Sequence, residues 1–284
     1  VPSTISKVVI GDVLRKQLGF NGLITTDAMD MEGLAREYGS AESSVRALEA
    51  GVDVLLMPRN PVEAVEAVVK AIAEKRLTMA RIDASVRKIL TAKVLAGLHR
   101  SRYVNTEGLD EVIEDEAAQA HAQSVADRAV AVLRGDRAKL PLKNANSTCV
   151  IALAERRGNG QGAQLTDDLK AKAPSIRTIV LDPQMPSFDN VEKGCESINI
   201  AAFLGFGGTG KLNVAYQPLI ERLLATGKTG VIGALGNPYL VRAFPQAALA
   251  LTTYSTVPVS ETSFAKTLTG ALQPSGRAFV TFEK

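Results

Sequence analysis

The sequence predicts an α/β protein in two parts, each with parallel strands joined by helices. Three observations carry that reading. Short apolar runs alternate with helical periods between residues 22 and 98, a longer series of the same kind begins near residue 149, and a polar, aperiodic stretch lies between them. With 284 residues, 46% of them hydrophobic and 22% charged, the chain has apolar content for two substantial cores.

The first part opens on Val1-Pro2-Ser3-Thr4-Ile5-Ser6, which has neither an initiator Met nor a signal-peptide pattern. It enters a helical period at Val8, Val9, Val13 and Leu14 almost at once, so the chain reads as starting inside a larger unit. A helix over 6–18 is expected to stop at Gly19, followed by a strand at 22–26. A helical pattern from about 40 to 50 closes on Gly51, and a second strand at 53–57 is stopped by Pro58. A helix then runs from Pro61, with proline in its first turn, to about residue 74. This βαβα order places functional groups at the C-terminal ends of the strands. Asp27, in Ile24-Thr25-Thr26-Asp27-Ala28-Met29-Asp30-Met31, is at such an end. A strand-end acid can cap the next helix, bind a ligand or attack a substrate, and the local sequence leaves these open. Residues 78–98 are again helical, with Ile82, Val86, Ile89 and Leu90 on one face.

Residues 100–114 lack period and read as a linker, and 115–133, rich in Ala and Gln, read as a helix. Five strands are then expected at 149–154, 176–181, 198–204, 230–235 and 248–252. Helices near 165–172, 216–225 and 260–271 separate them, which implies an open parallel sheet covered on both faces.

Several function classes lose their parts. The net charge of +3 comes from 33 basic and 30 acidic residues scattered without a block or aromatic interleaving, which argues against a nucleic-acid surface. No run of about 18 apolar residues suggests a membrane span. Cys149 and Cys195 are too few and too far apart for a zinc site or a disulfide framework, and core packing is expected for both. His99 falls at a helix C-terminus beside Arg100 and His121 in a polar helix, neither at triad or metal spacing, so capping or solvated roles are expected. Gly205-Phe206-Gly207-Gly208-Thr209-Gly210-Lys211-Leu212 satisfies both a dinucleotide and a phosphate-loop template, but each fails on chemistry. Leu212 stands where a hydroxyl must hold magnesium, and the glycines follow the third strand of the series rather than the first, with no acid about 20 residues on. A glycine loop at a strand end is the expectation, and carboxylate chemistry remains.

The run "PSTISKVVIGDVLRKQLGFNGLITTDAMDMEGLAREYG", followed by "ALEAGVDVLLMP", resembles the nucleophile region of glycoside hydrolase family 3, especially its β-N-acetylhexosaminidase branch. Arg81-Ile82-Asp83-Ala84-Ser85-Val86-Arg87-Lys88-Ile89-Leu90 resembles the helix after that family's barrel. Gly236-Asn237-Pro238-Tyr239 and Pro274-Ser275-Gly276-Arg277 are close to its closing signatures. The resemblance implies the C-terminal part of a (β/α)8 TIM barrel over residues 1–100, a linker and connecting helix over 101–135, and an αβα sandwich with a mainly parallel sheet over 136–284.

It also implies that Asp27 is the catalytic nucleophile of a retaining hydrolase acting on terminal β-linked N-acetylhexosamine in peptidoglycan or chitin fragments. Thr25 and Thr26 would supply hydroxyls, amides of the following helix start would keep the acid ionised, Asp30 would be a helix-start acid, and Met31 would form an apolar wall of the sugar site. No cofactor or metal is implied. The family's Lys-His pair and its glycine-rich, His-bearing loop precede this region and do not occur in these residues. The acid/base is therefore not assigned, the two visible βα units cannot close a barrel, and the chain is expected to be inactive without a further barrel segment or another subunit as partner. A β-glucosidase or β-xylosidase of the same family is the nearest alternative; its acid/base is a Glu of the second domain, for which no residue matches here. A non-catalytic carbohydrate-binding subunit is the other, and an intact Asp27 speaks against it. Location is left open between a bacterial-type cytoplasm and a secreted or cell-envelope position.

Overall fold

The computed structural model describes residues 1–109, 113, 115–142, 147–205 and 211–279. The chain divides into two compact units, Val1–Glu107 and Gly108–Lys284.

In the first unit a 3-10 turn, Ser3–Ile5, precedes a helix at Val8–Gln17 that is wound as a π-helix, with Leu18 N–H donating to the Val13 carbonyl at 2.9 Å. Helix α1 covers Glu32–Ala50 and is longer than its apolar period suggests, because the period begins only after a break at Gly39 (φ 65°, ψ 175°). Helix α2, Pro61–Ala73, starts where the Asn60 side chain accepts from Glu63 N–H, and α3, Met79–Leu95, where Thr78 Oγ1 accepts from Arg81 N–H. Each such cap contributes about 1 kcal/mol.

The two expected strands lie side by side and parallel, but as a short ladder and not as full strands. Thr25 bridges Val54, the Ile24 carbonyl accepts from Asp53 and Val54 N–H (2.8 and 3.0 Å), and the Val54 carbonyl accepts from Thr26 N–H (3.0 Å). At the next rung Leu56 N–H donates to Thr26 Oγ1 at 2.9 Å, so a hydroxyl stands in for a backbone acceptor and ends the regular pattern. Ile5, Ile10, Ile24, Met29, Leu34, Ala47, Ala50 and Val52 close a core around this ladder. Val45, Leu48, Ala71 and Leu77 form a second one where α1 packs on α2.

The second unit is a six-stranded sheet. Helix α4 (Glu116–Ala129) precedes β1 (Ala131–Gly135), β2 (Thr148–Leu153), α5 (Ala163–Lys172), β3 (Arg177–Leu181) and β4 (Ser197–Leu204). Then come α6 (Gln217–Ala225), β5 (Thr229–Gly236), β6 (Leu249–Thr252) and α7 (Pro258–Thr269). The strand order is β1-β6-β5-β4-β2-β3, parallel except for β1, which pairs antiparallel with β6.

Strand β1 was expected as the end of the helix over 115–133. The helix stops at Ala129 because Val130 turns extended (φ −60°, ψ 116°) and is fully buried with Ala131, so the apolar run Val130-Ala131-Val132 continues as an edge strand. Alternation along each strand fills two cores, one on each face of the sheet. Cys149, Ile151 and Leu153 face α6 through Leu219 and Leu223, while Val150 and Ala152 face α5 and α7 through Leu165, Leu169, Phe264 and Leu268.

The two closing signatures are close approaches of backbone to backbone. Gly236 ends β5 at φ 103°, where a Cβ would run into the Leu204 carbonyl, and Asn237 next to it accepts from Tyr239 N–H to start a 3-10 turn. Gly276 donates its N–H to the Val130 carbonyl at 2.8 Å and bridges Ala131, with no room for a side chain. Glu261 of α7 is buried and accepts from Gly162 N–H (3.1 Å) and Leu165 N–H (2.9 Å) at the start of α5. Burial raises its pKa, and the two amides offset part of that rise.

The cysteines require a correction. They are core residues, as expected, but they are bonded to each other: Cys149 of β2 and Cys195, just before β4, form a disulfide with Cα atoms 5.7 Å apart. Distance in sequence hid it, since β2 and β4 are hydrogen-bonded neighbours in the sheet although their cysteines lie 46 residues apart. Closing a loop of that length stabilises by about 2–4 kcal/mol. Replacing both cysteines by alanine is expected to lower the unfolding free energy of the sandwich by that amount, read as a lower urea midpoint; an unshifted midpoint shows that the bond does not contribute.

Candidate active site

Asp27 follows the first segment of the parallel ladder directly. Ile24 and Thr26 are buried, and the chain emerges at Asp27, whose side chain is exposed. Its Oδ1 accepts from Ala28 N–H at 2.7 Å, and Met29 N–H donates to the Leu56 carbonyl at 3.0 Å, which ties the loop after Asp27 to the end of the second segment. Asp27 is not the cap of the next helix: α1 begins at Glu32 with Met31 in the cap position.

The neighbours differ from expectation in detail. A single amide, that of Ala28, reaches the acid, because the helix starts too far along the chain for its first amides to do so. The threonine hydroxyls belong to the frame: Thr25 Oγ1 donates to the Thr26 carbonyl and Thr26 Oγ1 accepts from Leu56 N–H. Asp30 is exposed in the turn before the helix, whose first-turn acid is Glu32. Met31 is 56% exposed, its side chain on the same loop as Asp27.

The second acid of the ladder has the opposite environment. Asp53 begins the second segment with its side chain 1% exposed. Oδ2 accepts from Arg15 Nη2 (2.8 Å), Ile24 N–H (3.0 Å) and Lys88 Nζ (3.1 Å), and Oδ1 accepts from Ser85 Oγ (2.6 Å). Arg81 donates to Ser85 Oγ at 2.6 Å and to the Val52 and Leu48 carbonyls. Burial alone would raise the Asp53 pKa, but the Ser85 hydroxyl, the Ile24 amide and the Lys88 ammonium outweigh it and hold the acid lowered. The role of Asp53 is absent from the sequence reading. One signal for it exists: Arg81, Ser85 and Lys88 stand four and three residues apart, on one face of a helix, with too much polarity for a free surface.

In the sandwich, residues 206–210 of the glycine motif lie outside the described residues. Of its ends, Gly205 N–H donates to Glu155 Oε2 at 3.2 Å and Leu212 packs on the core, which explains why that position is apolar. His99 and His121 are exposed. Among the described residues no cluster of His, Cys, Asp and Glu could hold a metal, and no helix is long and apolar enough to cross a membrane.

Residues 1–92, which contain both acids and the helix that holds Asp53, match the signature described as the glycosyl hydrolase family 3 N terminal domain. Over those residues the chain is similar to glycoside hydrolase family 3. Among solved structures, a glycoside hydrolase family 3 β-N-acetylglucosaminidase from Paenibacillus sp. str. FPU-7 is similar over 98% of this chain and 54% of its own, with a TM-score of 0.79 and 21% identity. That likeness bears out the α/β fold class across both units. A β-N-acetylglucosaminidase/β-glucosidase of Cellulomonas fimi is 29% identical over 167 residues, which are 58% of this chain and 30% of that protein. A periplasmic β-glucosidase of Salmonella typhimurium is 24% identical over 343 aligned residues, all of this chain and 44% of that protein. The chain thus spans about a third to a half of the length of these relatives.

Asp53→Ala would leave Arg15 and Lys88 facing a buried space without their counter-charge, a change that costs about 3–5 kcal/mol. The first unit is expected to lose its near-ultraviolet circular dichroism at correspondingly lower urea; an unchanged midpoint contradicts the assignment. Because Asp53 is held lowered in the folded state, its contribution is present above the ordinary carboxylate range and is lost as pH falls through the folded value. Glu42 acts in the same sense, drawn to about 2 by hydrogen bonds first from Arg76 and then from Arg46. Acid unfolding of this unit, followed by the same signal, is therefore expected between the ordinary carboxylate range and about pH 2; a transition complete above pH 5 contradicts it.

Proposed function

We propose that the chain is the nucleophile-bearing part of a retaining glycoside hydrolase for terminal β-linked N-acetylhexosamine, as in peptidoglycan or chitin fragments, with Asp27 as the nucleophile. One observation carries the choice of acid. Of the two aspartates in the parallel ladder, Asp53 is enclosed by cations and donors, whereas Asp27 stands at the C-terminal end with an exposed carboxylate that accepts one backbone hydrogen bond. Strand C-termini are where catalytic groups of βα-built domains lie.

In this reading the Asp27 carboxylate attacks the anomeric carbon as the bond to the leaving oxygen breaks, and that oxygen takes its proton from a general acid on polypeptide beyond these residues. The glycosyl ester on Asp27 is then opened by water at the same carbon, with net retention. Met31, exposed on the same loop, offers apolar surface to a sugar face. The N-acetylhexosamine specificity draws on the similarity to glucosaminidases from Cellulomonas fimi and Paenibacillus. A β-glucosidase is the second reading, favoured by the Salmonella typhimurium relative that aligns with the whole chain.

Further polypeptide, from the same protein or another subunit, would complete the barrel. Val62, Val65 and Val69 of α2 are each more than 60% exposed on one helix face, and among the described residues the two-segment ladder has no third partner. The 284-residue chain expressed alone is expected to give a protease-stable core from about residue 115 onward and a labile front. Equal resistance of both parts in a monodisperse monomer would contradict this.

In the full-length protein, Asp27→Ala and Asp27→Asn are expected to abolish turnover of 4-nitrophenyl β-N-acetylglucosaminide while circular dichroism stays that of the parent. Turnover at the parent rate removes Asp27 as nucleophile, and cleavage of the glucoside alone selects the second reading.

A further inference from the structure

Both cysteines of these 284 residues are consumed in one bond, inside the core that packs the sheet against α6. The fold itself brings them together. Cys149 lies in β2, which is hydrogen-bonded along its length to β4, and Cys195 sits just before β4. The approach to β4 is pinned around Cys195 by bonds that do not involve sulfur. Cys195 N–H donates to the Glu192 carbonyl (3.1 Å), Lys228 Nζ to the Cys195 carbonyl (2.9 Å), and Glu196 N–H to the Ser147 carbonyl (2.8 Å). The backbone is thereby set for a bond, since Cα atoms 5.7 Å apart lie at the commonest spacing of disulfides.

The finished bond is sealed. Cys149 is 2% and Cys195 1% exposed, in one apolar cluster with Ile151, Ile198, Leu219 and Leu223. Thiol–disulfide exchange requires a thiolate to reach a sulfur, so reductants and oxidants alike are shut out of the folded sandwich. A redox sensor has the opposite character, an accessible thiol of low pKa beside a resolving partner. This bond is therefore not a switch, and it has to form while the sheet is still closing. The chemistry then needs an acceptor. One cysteine thiolate attacks the disulfide of a donor oxidoreductase to give a mixed disulfide, and the second thiolate displaces it. The two thiols give up two protons and two electrons, and the donor leaves as a dithiol. Donors of that class are kept oxidised outside the cytosol, whereas thiol pools hold cytosolic cysteines reduced.

We infer that the protein folds and works in an oxidising compartment outside the cytosol. The compartment follows from the cysteines alone. Its consequence for the substrate rests on the reading of the chain as an N-acetylhexosaminidase: the β-linked ends it meets are those of the glycan polymer and of fragments released outside the cell membrane, not of fragments taken into the cytosol.

The test follows the cysteine pair in the full-length protein of the source cells. Cells are quenched in acid, free thiols are alkylated under denaturing conditions, cytosolic and extracytosolic fractions are digested, and the peptides bearing Cys149 and Cys195 are quantified by mass spectrometry. The expected result is more than nine-tenths of the pair joined, in the extracytosolic fraction. Alkylated cysteines, or joined ones in the cytosolic fraction, would overturn the inference. The purified native protein, treated with dithiothreitol, is expected to keep the bond until urea unfolds the sandwich; reduction without denaturant would overturn the sealed, folding-coupled origin. Cleavage of 4-nitrophenyl β-N-acetylglucosaminide is measured on the same protein. Turnover by a cytosolic, reduced protein overturns the compartment and spares the function, and an oxidised, extracytosolic protein without turnover does the reverse.

Discussion

The first unit hangs on one buried carboxylate. Asp53 receives a guanidinium from the π-helix, a backbone amide from the segment leading to Asp27, and a hydroxyl and an ammonium from α3. Three stretches of chain, lying up to 38 positions from Asp53 in sequence, thus meet at two oxygen atoms. Such a cluster is expensive to assemble, because each ion loses water, and it is stable only when every lone pair and proton is answered. Here they are answered, and Arg81 extends the network to the Val52 and Leu48 carbonyls at the end of α1. The ladder, the helix after it and the helix before it are consequently fixed in register by electrostatics where their apolar contacts alone would tolerate sliding.

That fixation bears directly on Asp27. The Ile24 amide, held by Asp53, and the Thr26 hydroxyl, bonded to Leu56, sit within three residues of it on the same segment. One acid is spent on holding the backbone and the other is left at its end with a free face. A carboxylate that attacks carbon has to keep lone pairs available, and an exposed position supported from behind by a satisfied frame gives that without a strong counter-charge beside it. The division of labour between two aspartates on neighbouring segments makes the site chemically asymmetric.

Much of this was legible in the residues. The βα alternation, the sandwich strands and the stretch around Asp27 follow from period and from density of resemblance, and helix starts at Pro61 and Thr78 follow from cap chemistry. What stayed hidden depends on contacts between distant positions. Val130 to Val132 continue the apolar content of α4, and only pairing with β6 makes them a strand. Cys149 and Cys195 look unrelated until β2 and β4 are adjacent. The first half of α1 carries no apolar stripe because little of it is buried, so its start at Glu32 left no period to read. Asp53 looked like an ordinary strand-start acid, since its four hydrogen-bond partners lie on three other stretches.

Glu261 has a consequence for the sandwich as a whole. In open parallel sheets the start of the helix after the first parallel strand is the seat where the phosphates of nucleotides rest against free amides. Here α5 follows β2 in that place, and its amides at Gly162 and Leu165 already hold the buried carboxylate of Glu261. That helix start is liganded from within: its amides meet the carboxyl group of Glu261, which belongs to α7 and is buried. At this helix start, a place that in other sheets holds an exchangeable phosphate, the amides are taken by a side chain of the same polypeptide.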